Sequence, residues 1–172
     1  MKMKNNLPKR KPTRLKGYDY SLPGAYFVTI CTKDKKPLLS KIVGQGLAPA
    51  ENQLTIYGNI AKEQIELLAH RYQTIKIDNY VVMPNHIHLL ISNYETMAGA
   101  SPCPTISAVI CAFKSITTRK CHKAGLSEPH LFQSSFHDHI IRGKEDYQKI
   151  WEYIDGNALK WEEDCFYNNE RS

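Results

Sequence analysis

The stretch IKIDNYVVM-PN-HIHLLIS, residues 75–92, constrains the fold of this chain more than any other segment. Two apolar, β-branched runs are separated only by Pro84-Asn85, a tight-turn signal. Each run reads as a strand, and strands joined this closely pair as an antiparallel hairpin. A chain with such a hairpin at its middle is built around a sheet.

The other elements are read outward from the hairpin. Residues 25–32 (AYFVTICT) form a strand, and residues 33–54, with Gly44, Gly46 and Pro49, a loop or loose hairpin. Between Thr55 and Tyr72 the residues Ile56, Ile60, Ile65 and Leu68 fall near one helical face. After the loop MAGASPCP, Thr105 caps a helix carrying Ile106, Val109, Ile110, Phe113 and Ile116 at helical spacing. Residues 136–141 (FHDHII) form a strand. Residues 144–155 form a helix with Tyr147, Ile150, Trp151 and Ile154 on one stripe, and 159–172 a polar tail with scattered aromatics. The order β-α-β-β-α-β-α predicts an α+β fold: a ferredoxin-like (RRM-like) antiparallel sandwich with an extra C-terminal helix.

The 172 residues fit one domain, expected over residues 17–172 behind a basic arm, residues 1–16. No run reaches the roughly 18 apolar residues of a membrane span. No apolar stretch follows the basic N-terminus, so a signal peptide is not expected. Five cysteines, an odd number with no C-x-x-C pair, disfavour a disulfide framework and fit a reducing cytoplasm.

Charge is concentrated at one end. Seven of the 23 basic residues lie in the first sixteen positions (Lys2, Lys4, Lys9, Arg10, Lys11, Arg14 and Lys16), leaving 16 basic against 17 acidic residues elsewhere. The excess of +6 therefore belongs to the arm, which suits a polyanion whose counterions it displaces.

His86-Ile87-His88 is the sharpest local feature. Side chains two apart on a strand share a face, so both imidazoles point one way and Ile87 points into the core. Two neutral imidazoles can share a divalent cation and leave coordination positions open. A histidine pair on a half-exposed strand with no ligand gives the same pattern. His137-Asp138-His139 has the same spacing and ranks second as a metal site, with a phosphate contact or a supporting hydrogen bond as its other roles.

Tyr153 falls on the polar flank of its helix, whereas Tyr147 sits on the apolar stripe as a packing residue. Asn157, one turn on, shares the Tyr153 flank. A tyrosine oxygen can attack phosphorus and keep the DNA end as a phosphoester, so a later hydroxyl can reverse the step. Asn157 offers a hard oxygen as a third ligand for a Mg²⁺-like ion.

These segments together resemble the single-tyrosine HUH transposases of the insertion-sequence type, and among them the REP-associated tyrosine transposases. The resemblance runs from about Arg10 to Tyr167. RLKGYDYS and GAYFVTICT are similar to the N-terminal block and first strand, VVMPNHIHLLI to the HUH block, and FHDHIIR with DYQKIWEYIDGNALKW to the nucleophile segment. The resemblance implies an endonuclease and strand transferase acting through a 5′-phosphotyrosine at Tyr153. His86, His88 and Asn157 would hold Mg²⁺ or Mn²⁺. It implies single-stranded DNA beside hairpins of palindromic repeats as substrate, and a monomer or homodimer as the working unit. Two positions depart from the family pattern: Ala158 stands where proline is usual, and Gly156 separates Tyr153 from Asn157.

DNA contacts are expected from Lys9, Arg10, Lys11, Arg14 and Lys16 on the arm and from Lys114, Arg119, Lys120 and Lys123 along the second long helix. Tyr18 and Tyr20 could stack on unpaired bases. Two other functions fit the same topology: a non-catalytic module binding single-stranded nucleic acid, and a metal-dependent phosphoesterase without a tyrosine intermediate.

Overall fold

The computed structural model describes residues 18, 22–44, 51–94 and 104–167. The arm, with Lys9, Arg10, Lys11, Arg14 and Lys16, lies outside the described residues, as does Tyr20. Among the described residues the strands are β1 Gly24–Cys31, β2 Ser40–Val43, β3 Glu51–Leu54, β4 Ile75–Val82, β5 His86–Asn93 and β6 His137–Ile140. The helices are α1 Ile56–Glu66, α2 Leu68–Arg71, α3 Ile106–Lys123 and α4 Lys144–Gly156.

Four strands form an antiparallel sheet in the order β4-β5-β1-β6, the ferredoxin-like arrangement expected from the element order. The central hairpin β4–β5 closes as expected, with the Met83 amide donating to the His86 carbonyl at 2.8 Å. β5 is buried at all eight positions, because both of its neighbours are strands and both faces are covered. The segment between β1 and α1 forms the small hairpin β2–β3.

Strand register assigns the side chains to two faces. Tyr26, Val28, Ile30, Ile87, Leu89 and Ile91 point to one face and form the core with Ile65, Leu68, Val109, Ile110 and Phe113 of the helices. Phe27, Thr29, Cys31, His86 and His88 point to the other. α4 crosses that second face against β4 and β5. Because β4 is an edge strand, one flank of α4 stays open. Of its expected apolar stripe only Ile154 is fully buried, while Tyr147, Ile150 and Trp151 are half-buried.

The helix expected over Thr55–Tyr72 is divided at Leu67 into α1 and α2. Thr55 and Thr105 cap α1 and α3, accepting from the Gly58 amide at 3.1 Å and the Ala108 amide at 3.2 Å. The α1 start is tied to the site: the Leu39 carbonyl accepts from the Thr55 amide, and the Leu39 amide donates to Pro84, beside the histidine strand. A Cβ on Gly58 would lie 1.9 Å from the Leu39 carbonyl oxygen, a backbone atom that cannot step aside. Gly58→Ala should therefore lower unfolding stability by roughly 3 kcal/mol or more. Urea denaturation measures this, and a change below ~1 kcal/mol would show that the contact is not held in solution.

No helix among the described residues is long and apolar enough to cross a membrane.

Candidate active site

Hydrogen bonds at Nδ1 hold both histidines of β5 in place, and for His86 they also fix the tautomer. The Asn85 amide nitrogen donates to the Phe166 carbonyl at 2.8 Å, which fixes its oxygen as the acceptor facing His86. His86 Nδ1, 2.9 Å from that oxygen, must then carry the proton. Its Nε2 is left with a bare lone pair, buried and without a hydrogen-bond partner. His88 Nδ1 lies 2.9 Å from the Thr29 hydroxyl, so its Nε2 also faces the site. The two rings are 4.3 Å apart, and Trp161 and Phe166 pack against His86 from the C-terminal segment.

Burial keeps both rings neutral. It pushes the His86 imidazole down to about 4, against the pull of the nearby Asp164 carboxylate. Burial and then His86 hold His88 well below the ordinary histidine range. Neutral imidazoles with their second nitrogens tethered are the form that binds metal.

Asp164 completes the cluster. Its Oδ1 accepts from the Phe166 amide at 2.7 Å. Its Oδ2 accepts from the Asn157 amide at 2.8 Å and from the Tyr153 hydroxyl at 3.2 Å. The same oxygen is 3.9 Å from His86 Nε2, with both side chains almost fully buried. Since His86 is neutral with its proton on Nδ1, this contact sets a lone pair against a carboxylate, an arrangement that a cation between them would relieve. The ligand atoms of His86, His88 and Asp164 all lie within 4.8 Å of one another.

Asn157 continues the turn of α4 with helical φ and ψ of −62° and −42°, so Gly156 does not displace it. It is buried, and its Oδ1 has no hydrogen-bond partner. The donor set is thus two imidazole nitrogens and two hard oxygens, a combination that suits a divalent cation.

Tyr153 stands at the rim, 43% exposed. Its hydroxyl is 3.3 Å from His88 Nε2, and its ring meets Phe27 edge-to-face at 5.9 Å. Burial, then the Asp164 carboxylate, raise its pKa far above the ordinary tyrosine value, which keeps the phenol protonated. A pocket of about 150 Å³ beside it is lined by Glu152, Tyr153, Gly156, Asn157, Lys160, Glu163 and Asp164.

The fold thus brings together His86, His88, Tyr153 and Asn157, all singled out in the sequence. It adds Asp164, which sequence reasoning missed. The available signal was a run of three acids, Glu162, Glu163 and Asp164, between Trp161 and Phe166, which does not single out Asp164. The rival histidines share the sheet face of His88 through the β1–β6 register but sit on the exposed edge strand. His139 pairs there with Asp146 at 2.9 Å. Of the helical cations, Lys114 donates to the Ser134 carbonyl at 2.8 Å and Lys120 pairs with Glu63 at 3.0 Å. Arg119 makes no side-chain hydrogen bond or ion pair among the described residues. Tyr18 packs against Tyr26.

The neutral His86 has a consequence for stability. Its folded pKa of about 4 lies below the ordinary 6.5, so between those values the unfolded chain binds the extra proton. Stability is at its plateau above pH ~6.5 and falls as the pH drops towards ~4. With chelator present, the melting temperature should decline through this window. A flat profile would show that His86 is not buried in the neutral form.

Comparison with known proteins gives a consistent picture. The family described as "Transposase IS200 like" matches residues 24–157. An uncharacterised protein of Haemophilus influenzae is 32% identical over 173 residues, covering 92% of this chain and 93% of the relative. Among solved structures, a REP-associated tyrosine transposase bound to a REP hairpin is similar with a TM-score of 0.61 at 20% identity. That match covers 86% of this chain and 74% of the other. A Deinococcus radiodurans protein assigned as a transposase matches with a TM-score of 0.50 at 19% identity, covering 83% and 95%. At these identities the structural matches speak for the fold.

Proposed function

Because this chain belongs to the IS200-like transposase family, we propose that it cuts and rejoins single-stranded DNA through a phosphotyrosine at Tyr153. The observation that carries this reading is the Tyr153 hydroxyl, poised 3.3 Å from His88 Nε2 and 3.2 Å from the Asp164 carboxylate.

In the reaction, the Tyr153 oxygen attacks a backbone phosphorus. Its proton, aimed at the Asp164 carboxylate in the resting site, passes to solvent at the exposed rim. The bond from phosphorus to the 3′-oxygen breaks, and that oxygen leaves as a hydroxyl after protonation from solvent. The 5′-phosphate stays on Tyr153, so a second 3′-hydroxyl can attack it and restore a phosphodiester. His86, His88, the Asn157 Oδ1 and Asp164 would hold a Mg²⁺ or Mn²⁺ ion, which supplies positive charge against the charge growing on the phosphate. Phe27 and His88 contact the phenol ring, and buried Trp161 with half-buried Phe166 limits water on the far side of the histidines.

The substrate proposed is hairpin DNA from palindromic repeats with a single-stranded flank, in line with the REP hairpin held by the similar structure. The basic arm, residues 1–16, would add sequence-independent affinity for its phosphates.

The test is incubation of labelled hairpin DNA of this kind with the protein and Mn²⁺, then a denaturing gel and mass spectrometry. A protein–DNA adduct mapped to Tyr153 is expected. Cleavage without an adduct would favour a phosphoesterase, and binding without cleavage a non-catalytic module.

A further inference from the structure

A second cavity, of about 500 Å³, shares no lining residue with the pocket at Tyr153. It lies between α3 and the segment leading into β6, and its wall carries three cations, Lys33, Lys114 and Arg119, beside the imidazoles of His122 and His130. No Asp or Glu lines it. Ser115, Thr118, Gln133 and Ser134 add further polar groups, and Phe132 an apolar floor.

Most of these groups are held in place by the fold. The Lys114 ammonium is anchored on the Ser134 carbonyl at 2.8 Å. His122 Nε2 is 2.8 Å from the Glu128 carbonyl, while the Glu128 carboxylate is occupied by Lys36 at 3.2 Å. Lys33 pairs only with exposed Asp34, a contact of little energetic weight. Arg119 differs from all of these. Its guanidinium has five N–H donors and no hydrogen-bond or ion-pair partner among the described residues. A protein surface that gathers cations without acids, and leaves the arginine free, is set for an anion.

The location adds to the case. Phe132 bridges to Thr32, and the Gln133 amide donates to the Cys31 carbonyl at 2.9 Å. Cys31 is in turn the strand partner of His86. The cavity therefore lies at the same end of the sheet as the histidine cluster, on the α3 side, with the continuation of β1 between the two.

We propose that this cavity binds a backbone phosphate of the same DNA strand that Tyr153 attacks, with Arg119 as its principal ligand. The proposal rests on the DNA-processing reading above and adds a second anchoring point to it. The Lys33, Lys114 and Arg119 charges match a phosphodiester, and Ser115, Thr118, Gln133 and Ser134 offer hydrogen-bond partners to its oxygens.

The test is fluorescence anisotropy with a fluorescein-labelled hairpin oligonucleotide bearing a single-stranded flank, titrated across a salt series. Arg119→Gln should weaken binding at every salt concentration. It should also lower the slope of log affinity against log salt by about 0.7, one single-strand phosphate contact. Arg119→Lys should recover most of that slope, since the charge returns. Lys62→Gln, which removes an exposed charge from α1, should leave the slope unchanged. An unchanged slope for Arg119→Gln, or an equal drop for Lys62→Gln, overturns the proposal. Adduct formation by the unaltered protein is measured in parallel. A slope change without any adduct supports the cavity and removes the catalytic reading; an adduct without a slope change does the reverse. Absence of binding by the unaltered protein overturns both.

Discussion

Tyr153→Phe is expected to abolish the covalent protein–DNA adduct and DNA cleavage together, while leaving the fold and DNA binding in place. The substitution deletes one oxygen. That oxygen is the atom facing both His88 Nε2 and the Asp164 carboxylate. The ring keeps its edge-to-face contact with Phe27, so little packing is lost. Stability should change by no more than about 1 kcal/mol, the ordinary worth of a part-exposed hydrogen bond. No other hydroxyl in the cluster can form the phosphotyrosine, so activity should fall to background. Tyr147→Phe is the matched control. That side chain lies beside Trp151 on the same helix, away from the cluster, and its variant should form the adduct normally. An adduct that persists in Tyr153→Phe, or that maps to Tyr147, would overturn the mechanism.

His86→Ala and His88→Ala should each lower metal-dependent cleavage by about a thousandfold or more. A divalent ion stabilises phosphoryl transition-state charge by several kcal/mol, and each factor of ten is 1.36 kcal/mol. Both rings are buried and tethered at Nδ1, so each removal takes away a pre-aimed ligand. Each also leaves a hole in the central strand, so melting curves must accompany the assay. Mn²⁺ titration of the folded variants separates the two effects: affinity should collapse while a cooperative transition remains. His137→Ala and His139→Ala should keep Mn²⁺ affinity, because those rings stand on the exposed edge strand. Retained Mn²⁺ binding in both β5 variants would show that the ion is held elsewhere.

The sequence carried most of this site because its signals are local. The hairpin around Pro84-Asn85, the period-two histidines and the i, i+4 pairing of Tyr153 with Asn157 all follow from strand and helix geometry over a few residues. Asp164 could not be read in that way. It reaches the histidines by tertiary packing of Trp161 and Phe166 against His86, which no spacing in the chain encodes. The placement of Tyr153 was only partly legible. Helical geometry set it apart from the apolar stripe, but its contact with Phe27 depends on α4 crossing the sheet above β5. The break at Leu67 was likewise invisible in the spacing of apolar residues, which runs through it.

The buried central strand and the half-open helix imply two clocks within one site. Amide protons along β5 are shielded on both faces, so their exchange with deuterium requires opening of the whole sheet. Those of α4, anchored by Ile154 and a few half-buried neighbours, are released by local fraying. The imidazole side of the chemistry is therefore fixed on the timescale of global unfolding. The phenol side rides on an element that can loosen and re-dock many times within that interval, so the reach of Tyr153, and of Asn157 one turn on, can adjust while the imidazole geometry behind them stays constant.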